Sequence, residues 1–100
     1  MSPVERQFAP GTNPVAQQFA VNLTDGRDKA EITQEALSHL SGLHRTEISQ
    51  LERGFRIPRI DTVAKLTGGL DLPPGTLMDG IIWKPPKLAT GEFLFPSLPG

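Results

Sequence analysis

The sequence predicts an all-α fold, a compact bundle of five short helices, and three observations carry that expectation. Apolar residues recur at intervals of three and four through the central segments, residues that cap helices stand where those segments begin, and glycine or proline stands where they end. Residues 1–13 hold Pro3, Pro10 and Gly11 without any period and read as a flexible arm. Asn13 followed by Pro14 is a helix start, with Asn as the cap and Pro at the first helical position. Helix one then runs from Pro14 to about Ala30, with Phe19, Leu23 and Ala30 on its core face. Gly26 in its interior costs about 1 kcal/mol relative to Ala and leaves a small cavity.

Helix two follows Thr33, whose hydroxyl can cap it, with Glu35 suiting the positive helix end and Ala36, Leu37 and Leu40 forming an apolar stripe. It stops near Ser41, because Gly42 can adopt the left-handed conformation that a C-terminal turn needs. Leu43 is an apolar plug before helix three, which fits Arg45 to Arg53. Ile48, Leu51 and Glu52 face one way on it, while Arg45, Thr46, Ser49 and Gln50 face another. Gly54 ends this helix and Pro58 blocks its resumption. Helix four spans Ile60 to Gly69 with Val63, Leu66 and Leu70 inward, and a short helix five after Pro73-Pro74 carries Leu77 and Met78. Helices as short as two and three cannot bury enough surface alone, so they must pack on the others.

Composition frames what such a bundle can do. A chain of 100 residues, 37% of them hydrophobic, has enough for one modest core and hence one domain, over residues 14–83. The absence of cysteine excludes a disulfide framework and thiolate zinc sites and fits a reducing compartment. Neither a signal peptide nor a run of eighteen apolar residues is present, so a cytoplasmic, nucleoid-associated protein is expected, without membrane contact. The net charge of −1 gives no general attraction for nucleic acid, but the local balance differs. Between His44 and Lys65, Arg45, Arg53, Arg56, Arg59 and Lys65 outnumber Glu47, Glu52 and Asp61 by two.

Residues 33–58, TQEALSHLSGLHRTEISQLERGFRIP, thus read as two helices about a glycine turn with a polar face left free, the arrangement of a helix-turn-helix that inserts its second helix into the major groove of DNA. Over about residues 14–80 the sequence resembles the phage lambda repressor and Cro type of helix-turn-helix regulator. The resemblance rests on Thr33-Gln34-Glu35, Gly42, Ile48, Leu51-Glu52-Arg53-Gly54 and Pro58. It implies a lambda repressor-like DNA-binding bundle, with Arg45, Thr46 and Gln50 where the family contacts base edges. Arg45 would pair with guanine and Gln50 with adenine, each pair worth about 1 to 3 kcal/mol of discrimination. Gln34 falls where the family holds a phosphate and braces the recognition helix, Arg53 and Arg59 match backbone-contacting positions, and Arg56 joins them. Arg27 and Glu52 match a partly buried ion pair between helices one and three. The family binds two half-sites roughly 34 to 36 Å apart as a two-fold dimer, so a homodimer is expected, with Pro74 and Thr76 in the zone where its dimers meet.

The sequence departs from that pattern in places. Gly26 stands where the family has a large apolar residue, Glu31 where it has Gly, and His44 where it has a Ser or Thr cap, for which Glu47 would partly compensate as in a capping box. Glu47 would also repel phosphate or accept from a cytosine amino group. Other polar clusters read as surface. His39 has no second ligand at metal spacing, and Asp25, Asp28 and Glu31 form a solvent-facing acidic run. No Ser, His and Asp constellation or phosphate-binding glycine loop stands out, so neither enzyme activity nor a cofactor or metal is expected.

Beyond the bundle, Ile81-Ile82-Trp83 is an apolar cluster with two readings: Trp83 folds back over helices one and five to close the core, or it is a dimer contact. Residues 84–100 form a Pro-rich tail, mostly unstructured, in which Glu92 to Phe95 can add as a short strand and which offers a site for a protein partner. The function expected is a sequence-specific transcriptional regulator that binds a double-stranded operator, first as a repressor. An antitoxin or a restriction-modification controller would use the same domain. A different class, a helical protein-interaction module that no longer binds DNA, is favoured by the net charge, Glu47 and the apolar tail.

Overall fold

Local signals set the helix boundaries. The computed structural model describes residues 8–87 and 90–98, and in them the chain forms α1 (Pro14–Lys29), α2 (Gln34–Ser41), α3 (Arg45–Glu52) and α4 (Ile60–Gly69). A 3-10 turn at Thr76–Met78 and two strands, β1 (Ile82–Lys84) and β2 (Glu92–Leu94), complete it. Asn13 opens α1 by accepting from the Val15 N–H at 2.8 Å, and Thr33 opens α2 by accepting from Ala36 at 3.0 Å. Such caps stabilise by about 1 kcal/mol each. His44 gives α3 no side-chain cap, so the first turn of that helix lacks the bond that a serine or threonine there would supply.

Three helices end the same way. The N–H of Ile32 reaches back to the Arg27 carbonyl, that of Phe55 to Gln50 and that of Leu72 to Thr67, at 3.4, 3.0 and 2.9 Å. Each of these turns needs one left-handed residue just past the helix, and these are Glu31 (φ 57°), Gly54 (φ 73°) and Asp71 (φ 56°). The motif usually buries the residue that closes the turn against the core, and Ile32 and Leu72 do pack there. Phe55 does not: it is 58% exposed.

One core joins the helices, made by Phe19 and Leu23 of α1, Leu37 of α2, Ile48 and Leu51 of α3, Val63 and Leu66 of α4, with Leu43, Leu70 and Leu77 from the connections. Leu43 does plug the gap between α2 and α3, and Val63, Leu66 and Leu70 face inward as expected. Two core assignments are corrected. Leu40 is 60% exposed, because α2 meets α4 at Gly69, where a Cβ would come within 3.2 Å of the Leu40 carbonyl carbon and the Ser41 nitrogen. That close approach gives the inward position to the small Ser41. Ala30 is exposed because α1 stops at Lys29 and the left-handed Glu31 turns the chain outward. Around Gly26, methyls of Leu70 and Leu72 lie 3.5 Å from where a Cβ would stand, so leucines from the far side occupy the space a large residue would need.

The expected fifth helix is a three-residue 3-10 turn, so the bundle has four α-helices among the described residues. Pro73 and Pro74 supply no N–H and Gly80 has φ 78°, which leaves too few residues between them for a longer helix. Leu77 is nonetheless fully buried, while Met78 is exposed. The tail is more ordered than expected: β1 pairs antiparallel with β2 in the register Ile82 with Leu94, Trp83 with Phe93 and Lys84 with Glu92. Trp83 does not close the core. It meets Phe93 edge-on at 5.0 Å and lies against Gly91, where its ring leaves no room for a side chain. An isolated hairpin is marginal in water, and this one is tied back where Ser97 Oγ donates to Gln18 Oε1 at 2.7 Å. The anticipated boundary between residues 83 and 84 falls inside β1.

The arm is also partly ordered. Residues 1–7 lie outside the described residues, but Thr12 bonds back to the Ala9 carbonyl through both its N–H and its hydroxyl, at 3.1 and 2.6 Å. Phe8 packs against Gly54, where a Cβ would come within 2.9 Å of its ring.

A left-handed conformation costs a residue with a Cβ roughly 1 to 2 kcal/mol, so Glu31→Gly is expected to stabilise the fold by about 1 kcal/mol. The urea midpoint should rise at unchanged slope; a fall would show that the Glu31 side chain makes a contribution larger than the strain.

Candidate nucleic-acid interface

The face of α3 opposite the core is held in place by one carboxylate. Glu52, only 5% exposed, lies on the last turn of α3 and accepts hydrogen bonds from two other helices. Arg27 of α1 grips it with two nitrogens, Nε to Oε2 at 2.7 Å and Nη2 to Oε1 at 2.9 Å. Thr24 of α1 and Gln34 of α2 also donate to Oε1, each at 3.3 Å. Arg27 uses its remaining terminal nitrogen on the Ile32 carbonyl at 2.9 Å, tying the α1–α2 connection into the same cluster. The bond to Glu52 raises the Arg27 guanidinium above its ordinary pKa, against the lowering effect of burial. A forked, charge-assisted pair of this kind fixes direction as well as distance.

With Glu52 turned inward, the polar residues of α3 turn outward. Arg45, Thr46, Ser49 and Gln50 share one shallow surface depression with Arg53 and Phe55. The structure therefore brings together all three residues expected to read bases, and adds one of those expected to grip the backbone. Gln50 is not free: its side-chain oxygen accepts from Arg56 Nη1 at 3.1 Å. An amide oxygen has a second lone pair, so Gln50 held in this way can still accept from an adenine amino group while its own NH2 donates to N7. Arg56 thus braces Gln50. Arg53 lies over the Phe55 ring, its Cζ 4.6 Å from the ring centroid.

The other expected backbone contacts are more scattered. Gln34 borders a second depression with Arg27, Thr33, Glu35 and Arg45, so it flanks the start of α3 while its amide nitrogen donates one bond to Glu52. Arg59 is exposed at the start of α4 and pairs with Asp61 at 3.3 Å. Of the expected dimer residues, Pro74 lines an apolar groove with Ile57, Ile60 and Met78. Thr76 lines a different groove with Asn22 and Asp25, and Trp83 belongs to the hairpin. These three share no single surface.

Charge counted along residues 45–56, three arginines against Glu47 and Glu52, understates this face. Glu52 is neutralised from α1, which leaves Arg45, Arg53 and Arg56 against Glu47. Two members of the depression were not singled out in the sequence. Ser49 was placed on the polar face without a role, and Phe55 gave no signal beyond standing next to Gly54.

Removing one partner of a buried ion pair leaves the other charge unpaired, at about 3 to 5 kcal/mol. Glu52→Ala is therefore expected to cost about 3 kcal/mol in chemical denaturation and Arg27→Ala a similar amount, with a double variant far from additive. Additive losses would contradict the coupling.

Comparison with known proteins agrees with this geometry. The HTH_3 family, described as helix-turn-helix, matches residues 23–77. Control protein C.BamHI of Bacillus amyloliquefaciens is 39% identical over 69 residues, covering 68% of this chain and 85% of its own. Among solved structures, the restriction-modification controller protein C.AhdI from Aeromonas hydrophila is 35% identical with a TM-score of 0.58, covering 60% of this chain and 91% of its own. The wild-type controller C.Esp1396I is 25% identical with a TM-score of 0.62, covering 67% and 87%. The chain belongs to the HTH_3 helix-turn-helix family of DNA-binding transcriptional regulators.

Proposed function

We propose that the chain is the controller of a restriction-modification operon, and that it binds operator DNA as a homodimer with α3 in the major groove. The observation that carries the DNA contact is the single exposed depression holding Arg45, Thr46, Gln50 and Arg53 on a helix locked from behind by Glu52. Arg45 and Gln50 read base edges, Thr46 supports them, and Arg53, Arg56 and Gln34 set position on the backbone. The controller role is preferred to that of a stand-alone repressor because the relatives, at 39% and 35% identity, carry the names of control and restriction-modification controller proteins.

Dimerisation is supported by an apolar face away from α3. Ile60 is 89% exposed at the start of α4 and Ile57 54%, beside Pro74, Met78 and Ile81 around one groove of about 470 Å³. Large apolar side chains this exposed and this contiguous mark an interaction site. A two-fold pairing through this face would supply the dimer that two half-sites require. Pro74 lies within it, and Trp83 would extend the contact only through the hairpin.

Selection from a random duplex pool should enrich a two-fold motif, and that motif should recur in the DNA preceding the operon that holds the gene. Arg45→Ala with Gln50→Ala should abolish the preference, whereas Arg53→Ala should weaken all sequences alike and lower the salt dependence by about one ion. Failure to enrich any motif, or indifference to the double variant, would remove the DNA reading. Ile60→Asp should sediment as a monomer and bind a single half-site only weakly; a dimer unchanged by it would place the interface elsewhere.

A further inference from the structure

We propose that Phe55 is a positioning residue for DNA binding: its ring is a platform that holds Arg53 extended toward a backbone phosphate. This rests on the assignment of the α3 face to DNA. Three helices of the chain end in the same backbone turn, and in two of them the closing residue, Ile32 or Leu72, is packed on the core. The third closing residue, Phe55, makes the same backbone bond to Gln50 at 3.0 Å yet leaves its ring on the surface at 58% exposure. The ring is therefore free of any role in closing the core. It lies instead in the depression formed by Arg45, Thr46, Ser49, Gln50 and Arg53, with the Arg53 guanidinium 4.6 Å above its centre.

Arg53 is suited to what that contact does. Arg27, Arg56 and Arg59 are hydrogen-bonded or ion-paired to Glu52, Gln50 and Asp61, whereas Arg53 has no carboxylate partner among the described residues. Its charge is thus uncommitted. A long exposed arginine gives up many rotamers when it binds, and a ring beneath it removes part of that cost before DNA arrives. The ring's quadrupole attracts the cation without quenching its charge, and the outer edge of the guanidinium stays open for phosphate oxygens. The backbone that carries the ring is itself packed: at the preceding Gly54, side-chain atoms of Phe8 and Thr12 lie 2.9 and 3.2 Å from where a Cβ would stand.

The test is duplex affinity for the full chain and its variants, measured on the selected sequence and on a scrambled one. Phe55→Leu keeps the apolar bulk but loses the π face, and should weaken binding about two- to fivefold on both duplexes, since a phosphate contact carries no sequence. Phe55→Trp should restore affinity. In an Arg53→Ala background, Phe55→Leu should have no further effect, while thermal midpoints stay unchanged because the ring is exposed. The proposal is overturned if Phe55→Leu binds as tightly as the unmodified chain, if Phe55→Trp fails to rescue, or if the loss persists without Arg53. Failure of the unmodified chain to bind any duplex would be a separate result, removing the DNA assignment and this proposal with it.

Discussion

The Glu52 carboxylate is the constraint on which the binding face depends. It sits on α3, but its partners Thr24, Arg27 and Gln34 belong to α1 and α2, so a single buried charge fixes the rotation of α3 about its own axis. An apolar seam alone would not do this as well. Ile48 and Leu51 bury the helix but tolerate small rotations, whereas a forked guanidinium–carboxylate pair at 2.7 and 2.9 Å does not. Buried ion pairs are often no more stabilising than well-packed hydrophobic residues of similar volume. The gain here is orientation, because recognition depends on side chains meeting base edges from a fixed backbone.

The same carboxylate explains how a chain of net charge −1 presents a cationic surface. Glu52 turns inward to Arg27, and Asp61 is held by Arg59 at the start of α4. Over residues 45–56, Arg45, Arg53 and Arg56 then stand against Glu47. Two of those three are also prearranged, Arg56 against Gln50 and Arg53 against Phe55. Overall charge governs long-range steering, but the contact itself answers to the local field. The net charge, one of three features that favour a protein-interaction module, therefore does not describe this face.

Much of the fold was legible because helix boundaries are written locally. Asn13, Thr33, Gly42 and Gly54 act on their own neighbours, and α1 and α2 begin where Asn13 and Thr33 cap them. The helical period put Glu52 on the face of Ile48 and Leu51, but its partner Arg27, distant in sequence, came only with the family resemblance. What stayed hidden depends on contacts distant in sequence. Leu40 and Ser41 exchange places because Gly69 of α4 approaches the α2 backbone, and the apolar run of β1 finds its partner only at residues 92–94, further along the sequence. Glu31 is the reverse case: its place where the family has glycine was visible, and its left-handed φ of 57° shows the backbone demand that glycine usually meets.

The account makes one claim above the others, that α3, oriented by Glu52, reads the major groove through Arg45 and Gln50. Methylation interference on the selected duplex addresses it directly, because dimethyl sulfate marks guanine at N7 in the major groove and adenine at N3 in the minor groove. The account predicts that N7 methylation at specific guanines blocks binding and that Arg45→Ala removes that block, since the modified atom is half of the bidentate guanine contact. Interference confined to adenine N3, or a guanine pattern unchanged by Arg45→Ala, would contradict it.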